Sequence, residues 1–351
     1  MFFRVEFVLV LLAAAAFTGG CRGGEVAQRD PSREAKASPS PFRVSSEECS
    51  EAIRSLVENP RFHAFLAEYR AGTRRGVPRI LCGRVVNRTD DVDLAPALLF
   101  KTLPKMINET GEAAAGWKIS DFPADPNDRS VKTFHAPDFI LDLCISQFLC
   151  SEKSAVFLRR VFTFVLIDPE GVVAWNFVKY VDVPMSGRIR RNVFPANEFE
   201  TVCLSAVRSL LTDGDVIAFV RSHQRNAHGK SPVVKLMLKN DTTDPDFPNF
   251  FIWILQDKLS NSGRLRVSAL EGQSRFADVM IFDQLAEDPH VRDGKKAFRP
   301  AAALILAVRV DEKKTQSRTT RDYQFSLCDA KTGAVICFFV KKMGVGDSRA
   351  H

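Results

Sequence analysis

The 351 residues, 45% hydrophobic and 26% charged, have the balance of a globular protein long enough for a processed N-terminus and two domains. A net charge of +7 and a pI near 9.0 raise nucleic acid as a partner. The 49 basic residues, however, are scattered among 42 acidic ones, with no long basic block and no RNA-binding or helix-turn-helix pattern, so nucleic acid is set aside.

Residues 1–20 read as an export signal: Arg4 precedes the apolar run Phe7–Phe17, which is too short to span a bilayer. Thr18-Gly19-Gly20-Cys21 follows. Two small residues before a cysteine resemble the bacterial lipobox, which makes Cys21 the expected lipidation site and the anchor to a membrane. Thr18 stands where a leucine is usual, and the bland alternative is ordinary cleavage after Ala13–Ala16, leaving a soluble exported protein. Arg22 rather than Asp follows the cysteine, so the outer membrane is the expected location, with the periplasmic side favoured over the cell surface. Residues 21–45 are rich in Pro, Ser, Gly and charge and form a flexible tether.

Beyond the tether the expected order is helix 47–71, strand 79–86, helix 94–109, strand 115–119, then strands 138–147, 157–167 and 172–183. Residues 121–133, Pro- and Asp-rich, read as loop. The same plan then returns: helix 199–225, which Gly214 interrupts, strand 232–238, helix 250–259 with Asp244 or Asp246 as cap and Asn261-Ser262-Gly263 as stop, and strand 264–268. A further helix over 275–285 precedes strands 303–310, 323–328 and 335–341, the last two joined by the Asp329–Gly333 turn. The fold class is therefore α+β. It comprises two tandem domains, 46–187 and 196–346, each a mixed sheet of about five strands with two to three packed helices (α-β-α-β-(α)-β-β-β).

The two halves also match in residues. Ile53-Arg54-Ser55-Leu56 answers Val207-Arg208-Ser209-Leu210, Ala64-Phe65 answers Ala218-Phe219, and Pro78 answers Pro232. With small indels, Asn87-Arg88-Thr89 answers Asn240-Asp241-Thr242, and Phe134-His135-Ala136 answers Phe298-Arg299-Pro300. Phe164 to Asp168 answers Phe325 to Asp329, each followed by a glycine, Gly171 and Gly333. A period this long is a duplicated domain rather than a solenoid unit.

Beside Cys21 stand seven cysteines: Cys49, Cys82, Cys144, Cys150, Cys203, Cys328 and Cys337. An odd number forbids complete pairing, none shows metal spacing, and Cys144 with Cys150 is the one pair close enough to suggest a bridge. The histidines (His63, His135, His223, His228, His290 and His351) are dispersed. Asp90-Asp91 and Asp244/Asp246 lie before helices, where capping explains them, and Asp168 and Asp329 are turn formers. Ser186-Gly187 lacks the flanking pattern of a nucleophile elbow, and no Gly-rich phosphate loop is present. No catalytic residue, metal, cofactor or small-molecule substrate is expected; the chain reads as a non-enzyme.

The turn motifs Asn87-Arg88-Thr89 and Asn240-Asp241-Thr242, the helix stop Asn261-Ser262-Gly263, the strand Pro137–Leu141, and the hairpins Asp168–Trp175 and Asp329–Cys337 together resemble the C-terminal domain of the penicillin-binding protein activator LpoB family. That family usually carries one such domain; here Trp175 becomes Cys337 and Arg88 becomes Asp241 in the second half. The resemblance implies a lipid-anchored regulator of a peptidoglycan synthase, with that penicillin-binding protein as partner. The alternative is a structural or assembly lipoprotein of a periplasmic or outer-membrane scaffold or secretion complex. The likeness extends to CsgG-type secretion lipoproteins, but the Pro/Asp-rich segment 121–133 cannot supply their long amphipathic pore hairpins. An envelope hydrolase is a third, weaker reading.

Overall fold

The computed structural model describes residues 42–73, 76–91, 96–118, 121–122, 137–152, 155–185, 193–242, 247–270, 273, 302–315 and 318–346, all within one compact unit, Ser40–His351. The signal segment, Cys21, residues 21–41 of the tether and the helix expected over 275–285 lie outside the described residues.

The first expected helix is two. α1 (Ser46–Val57) opens on a capping box: Ser45 Oγ accepts from the Glu48 N–H at 3.1 Å, and Glu48 Oε2 accepts from the Ser45 N–H at 2.6 Å. It ends at Glu58 because Pro60 cannot continue a helix but can start one. α2 (Pro60–Thr73) begins there, with Asn59 Oδ1 accepting from Arg61 N–H. β1 (Arg79–Arg88), α3 (Pro96–Glu109) and β2 (Ala114–Gly116) follow, then β3 (Phe139–Glu152), β4 (Ala155–Ile167) and β5 (Val172–Pro184). A short strand not foreseen, β6 (Val193–Pro195), pairs in parallel with Leu149–Ser151 of β3.

The second half has α4 (Glu198–Thr212), α5 (Gly214–Asn226), β7 (Val233–Asp241), α6 (Phe247–Ser260), β8 (Arg266–Ser268), β9 (Leu304–Lys314), β10 (Arg318–Asp329) and β11 (Val335–Gly346). The break at Gly214 is set by Asp213, whose carboxylate accepts from the N–H groups of Asp215 and Val216 and so caps α5. β9, β10 and β11 each run several residues past the expected ends. The α+β class holds. The strands of both halves nevertheless join one sheet, in the order β11-β10-β9-β7-β8-β5-β4-β3-β1-β2, with β6 off the path.

Within that sheet the halves carry the same order and sense. β1 pairs in parallel with β2 and β3, and β3, β4 and β5 are antiparallel in turn; β7 does the same with β8 and β9, followed by β10 and β11. Even the irregularity recurs: the register of β4 with β5 shifts between Leu166 and Ile167, and that of β10 with β11 between Leu327 and Cys328. The halves meet where β8 adds antiparallel to β5, Val172 against Ser268 and Val173 against Val267. Ala269 N–H donates to the Gly171 carbonyl at 2.9 Å there, and Arg266 pairs with Glu170 at 2.9 Å and with Asp168 at 3.4 Å.

Side chains alternate across a strand, so the core clusters show which helices lie on which face. Leu141, Leu143 and Ile145 of β3 and Phe162, Phe164 and Leu166 of β4 pack under α1, α2 and α3. Their neighbours of opposite parity, Cys144, Val165 and Ile167, pack with Trp253 of α6, while Phe148, Cys150 and Val161 join the cluster of α4 and α6. Those same two helices cover Val234, Leu236, Leu306, Val308, Phe325 and Leu327 of the second half. The helices of the two halves thus lie on opposite faces of one sheet, and α6 covers the seam and reaches the back of the first half.

Candidate functional site: an uncovered sheet face in the second half

The motifs singled out in the sequence fold into local scaffolding. Asn87 Oδ1 accepts from the N–H and hydroxyl of Thr89 at 2.9 and 2.7 Å, and Asn240 Oδ1 accepts from those of Thr242 at 3.0 and 2.6 Å. Both are side-chain turns that end a strand. Asp91 accepts from Val44 N–H at 2.8 Å, and Asp90 stands in the bend before it. Gly263 takes φ +69° at the stop of α6, the left-handed conformation that glycine adopts without cost. Asp168 accepts from Val172 N–H, and Asp329 from the N–H groups of Lys331 and Thr332. Trp175 is core, its ring 5.0 Å from Phe62. Cys337, at the same place in the second half, donates its thiol to Asp213 Oδ2 at 3.2 Å.

Buried charges hold the halves together internally. Arg321 donates to Glu198 at 3.0–3.1 Å and to Glu312 at 2.9 Å, Tyr323 donates to Glu198 at 2.7 Å, and the guanidinium lies 4.6 Å over the Phe194 ring. Burial pulls the Arg321 pKa down, but Glu198, Tyr323 and Glu312 outweigh it and hold it above the ordinary range. Burial and Glu198 raise the Tyr323 hydroxyl in turn. In the first half Arg160, on β4 where β10 carries Arg321, donates to Glu48 and to the Arg43 carbonyl.

The seven cysteines are free, and six of them are buried. Cys144 and Cys150 do not form the bridge considered from the sequence. They lie six residues apart along β3, which separates them by about 20 Å at ~3.3 Å per residue. Burial pushes the thiols of Cys49 and Cys337 up to about 11 and those of Cys144 and Cys150 up to about 12, so at neutral pH these are unreactive. His63 contacts Glu112 at 2.5 Å, His223 stacks on Phe219, and His228 takes a positive φ at the end of α5. No group of three His, Cys, Asp or Glu that could hold a metal occurs among the described residues. His135, His290, His351, Ser186, Gly187, Asp244, Asp246 and the lipidation residue Cys21 lie outside them.

What the structure brings together was not foreseen. The cross-strand row Asp142–Val165–Asn176 in the first half is buried under α6. Its counterpart in the second half, Ala307–Ser326–Phe338, extends to Met237 of β7, and no helix covers it among the described residues. Phe338 is 59% exposed, Met237 49%, and on the same side Val335 is 60% and Val340 39% exposed. Lys235, Lys239, Arg309 and Lys342, all exposed, edge this apolar strip, with Lys239 and Arg309 paired to Asp241 and Arg309 also to Asp311. Apolar surface grouped this way on a soluble face marks an interaction site. The unbroken run Val335–Val340 concealed it, because such a run reads as a strand buried on both sides.

The two outer edges of the sheet differ. At β2, Asn108 of α3 turns its amide onto the free edge: Oδ1 accepts from Ala115 N–H at 2.6 Å and Nδ2 donates to the Ala115 carbonyl at 3.0 Å. Asp121 closes in beside it, so near that a Cβ on Gly116 would stand 2.7 Å from the Asp121 Cβ. The edge of β11 carries Val335, Phe338 and Val340 into solvent.

No family model matches the chain, and no curated protein does. Solved structures similar to it include a lipoprotein, GNA1162, from Neisseria meningitidis and the LpoB C-terminal domain from Salmonella enterica. The first is 14% identical, covering 34% of this chain and 85% of its own, with a TM-score of 0.22. The second is 15% identical, covering 36% of this chain and 93% of its own, with a TM-score of 0.18. Likeness of this degree assigns neither family nor function. Among the described residues no helix is long and apolar enough to cross a membrane.

Proposed function

We propose that this is a lipid-anchored binding protein of the cell envelope, held by Cys21 and a flexible tether on the periplasmic side of the outer membrane, that docks on a peptidoglycan synthase and modulates it without itself being an enzyme. The observation that carries the binding role is the uncovered face: exposed apolar side chains, Met237 on β7 and Phe338 and Val340 on β11, on the side of the sheet that α6 covers in the first half. The export-signal pattern and the cysteine after Gly19-Gly20 support the anchor and the compartment, and the order of turn and hairpin motifs supports the choice of partner. Tethering would act by raising the local concentration of the docking face near its target.

The test is co-purification of the full chain with the penicillin-binding proteins of its own cell, and the effect of adding it on peptidoglycan crosslinking by a captured synthase. Met237→Glu, which puts a carboxylate on the strip far from the sheet edge, is expected to weaken capture at least tenfold and abolish any stimulation. Capture of no synthase, or capture indifferent to Met237→Glu, refutes the reading. Mass spectrometry of the mature N-terminus checks diacylation of Cys21 independently.

A further inference from the structure

We propose that two copies of this chain pair through β11, antiparallel and edge to edge, into a two-fold symmetric dimer whose sheet runs through both copies. The first half shows what a strand in this place does when its edge is satisfied. β5 follows β4 in the sheet as β11 follows β10, with the same register shift, and β5 takes an antiparallel strand, β8, along its outer side. β11 has no strand on that side among the described residues, although it is a twelve-residue strand free of proline. An unpaired edge of that length carrying apolar side chains is a template for pairing.

Which strand fills it follows from the other end of the sheet. If copies joined head to tail, as the halves do, β2 of one would meet β11 of the next. The outward N–H and C=O of Ala115, however, are both taken by the Asn108 amide. In the second half the counterpart of Ala115, Val267, is the residue that pairs with Val173 across the seam, and the counterpart of Asn108 is Ser260, which makes no such contact. The head-to-tail route is therefore blocked at β2, and the open edge of one copy has the open edge of another as its complement. Antiparallel pairing of identical strands is two-fold symmetric by construction and closes after one partner.

The side chains fit this pairing. With the axis at Phe339, Phe338 stands opposite the partner's Val340 on the uncovered face, an aromatic against a β-branched residue. Lys341 stands opposite the partner's Cys337 and Lys342 opposite the partner's Ile336, so no ammonium group meets another across the join. Lys341 already turns away from the edge to donate to Ser209 Oγ at 2.8 Å. Met237, three strands in from β11, is left free for another partner.

Sedimentation equilibrium of the full chain over about 1 to 100 μM is expected to show a monomer–dimer equilibrium and nothing larger. Phe338→Lys/Val340→Lys replaces exposed side chains only; it is expected to weaken dimerisation at least tenfold while leaving circular dichroism unchanged, and the melting curve unchanged at concentrations low enough for both proteins to be monomeric. Hydrogen exchange of unsubstituted protein supplies a second readout: β11 amides gain protection as concentration rises, and those of β2 do not. A monomer throughout the range, a dimer indifferent to the double substitution, or an open series of oligomers each overturns the proposal.

Discussion

At the residue scale the least expected groups are the two guanidiniums buried inside the sheet. Arg321 donates to Glu198 and Glu312 and lies over Phe194; Arg160 donates to Glu48 and to the Arg43 carbonyl in the first half. A basic residue in a strand reads from sequence as an outward-facing position, because nothing local marks the glutamate that a helix start brings to it from more than a hundred residues away. Removing one partner of such a cluster costs far more than the cluster contributes, since the remaining charges stay buried without compensation. Arg321→Ala is therefore expected to lower stability by about 3–5 kcal/mol, read as a shift of the urea midpoint at unchanged m-value. A loss below ~1 kcal/mol would show that water reaches Glu198 and Glu312 freely.

At the element scale most segments were legible, since apolar spacing and turn residues mark them. What was not legible was how their ends were set. Pro60 divides the first helix, and Asp213 starts α5 with its side chain. β9 to β11 outrun their apolar runs because pairing with neighbours, rather than propensity, extends them through Glu312-Lys313-Lys314 and Lys341-Lys342. Asn108 is the clearest case: in sequence it is an ordinary residue near a helix end, and only the placement of β2 beside α3 gives it two backbone partners. Asn108→Ala is expected to cost about 1–3 kcal/mol, the penalty for leaving an N–H and a C=O without their partners. Hydrogen exchange at Ala115 would quicken, and static light scattering would rise past the mass of a dimer with concentration as the bared edge finds strands in other copies. Unchanged exchange at Ala115 would show that the amide does not guard that edge.

At the scale of the whole molecule, tandem halves in the sequence suggested two bodies, and one sheet crosses both. The seam itself is short, two registered pairs, so the join depends on α6, which packs on both sides of it through Trp253, Phe250 and Leu255. Local pattern could not reveal this. Trp253 reads as one more apolar helix position, and the surface it fills, Cys144, Val165, Ile167 and Val173, lies about a hundred residues earlier in the chain. Unfolding of residues 42–346 is expected to be a single transition, with calorimetric and van't Hoff enthalpies in agreement. Trp253→Ala should lower stability by about 3–5 kcal/mol and split the transition in two, as the halves lose the helix that couples them. A single undivided transition in that variant would place the coupling elsewhere.

The guarded edge at β2 gives the molecule a direction of growth. A third module spliced after Gly346 would find a strand ready to receive its own β8 and a bare face ready for its own α6, just as the second half found them on the first. A module spliced ahead of Ser46 would offer its last strand to an edge that a single amide has already shut. By its edges, this architecture can be lengthened at its C-terminal end, while at the other it is closed until Asn108 changes.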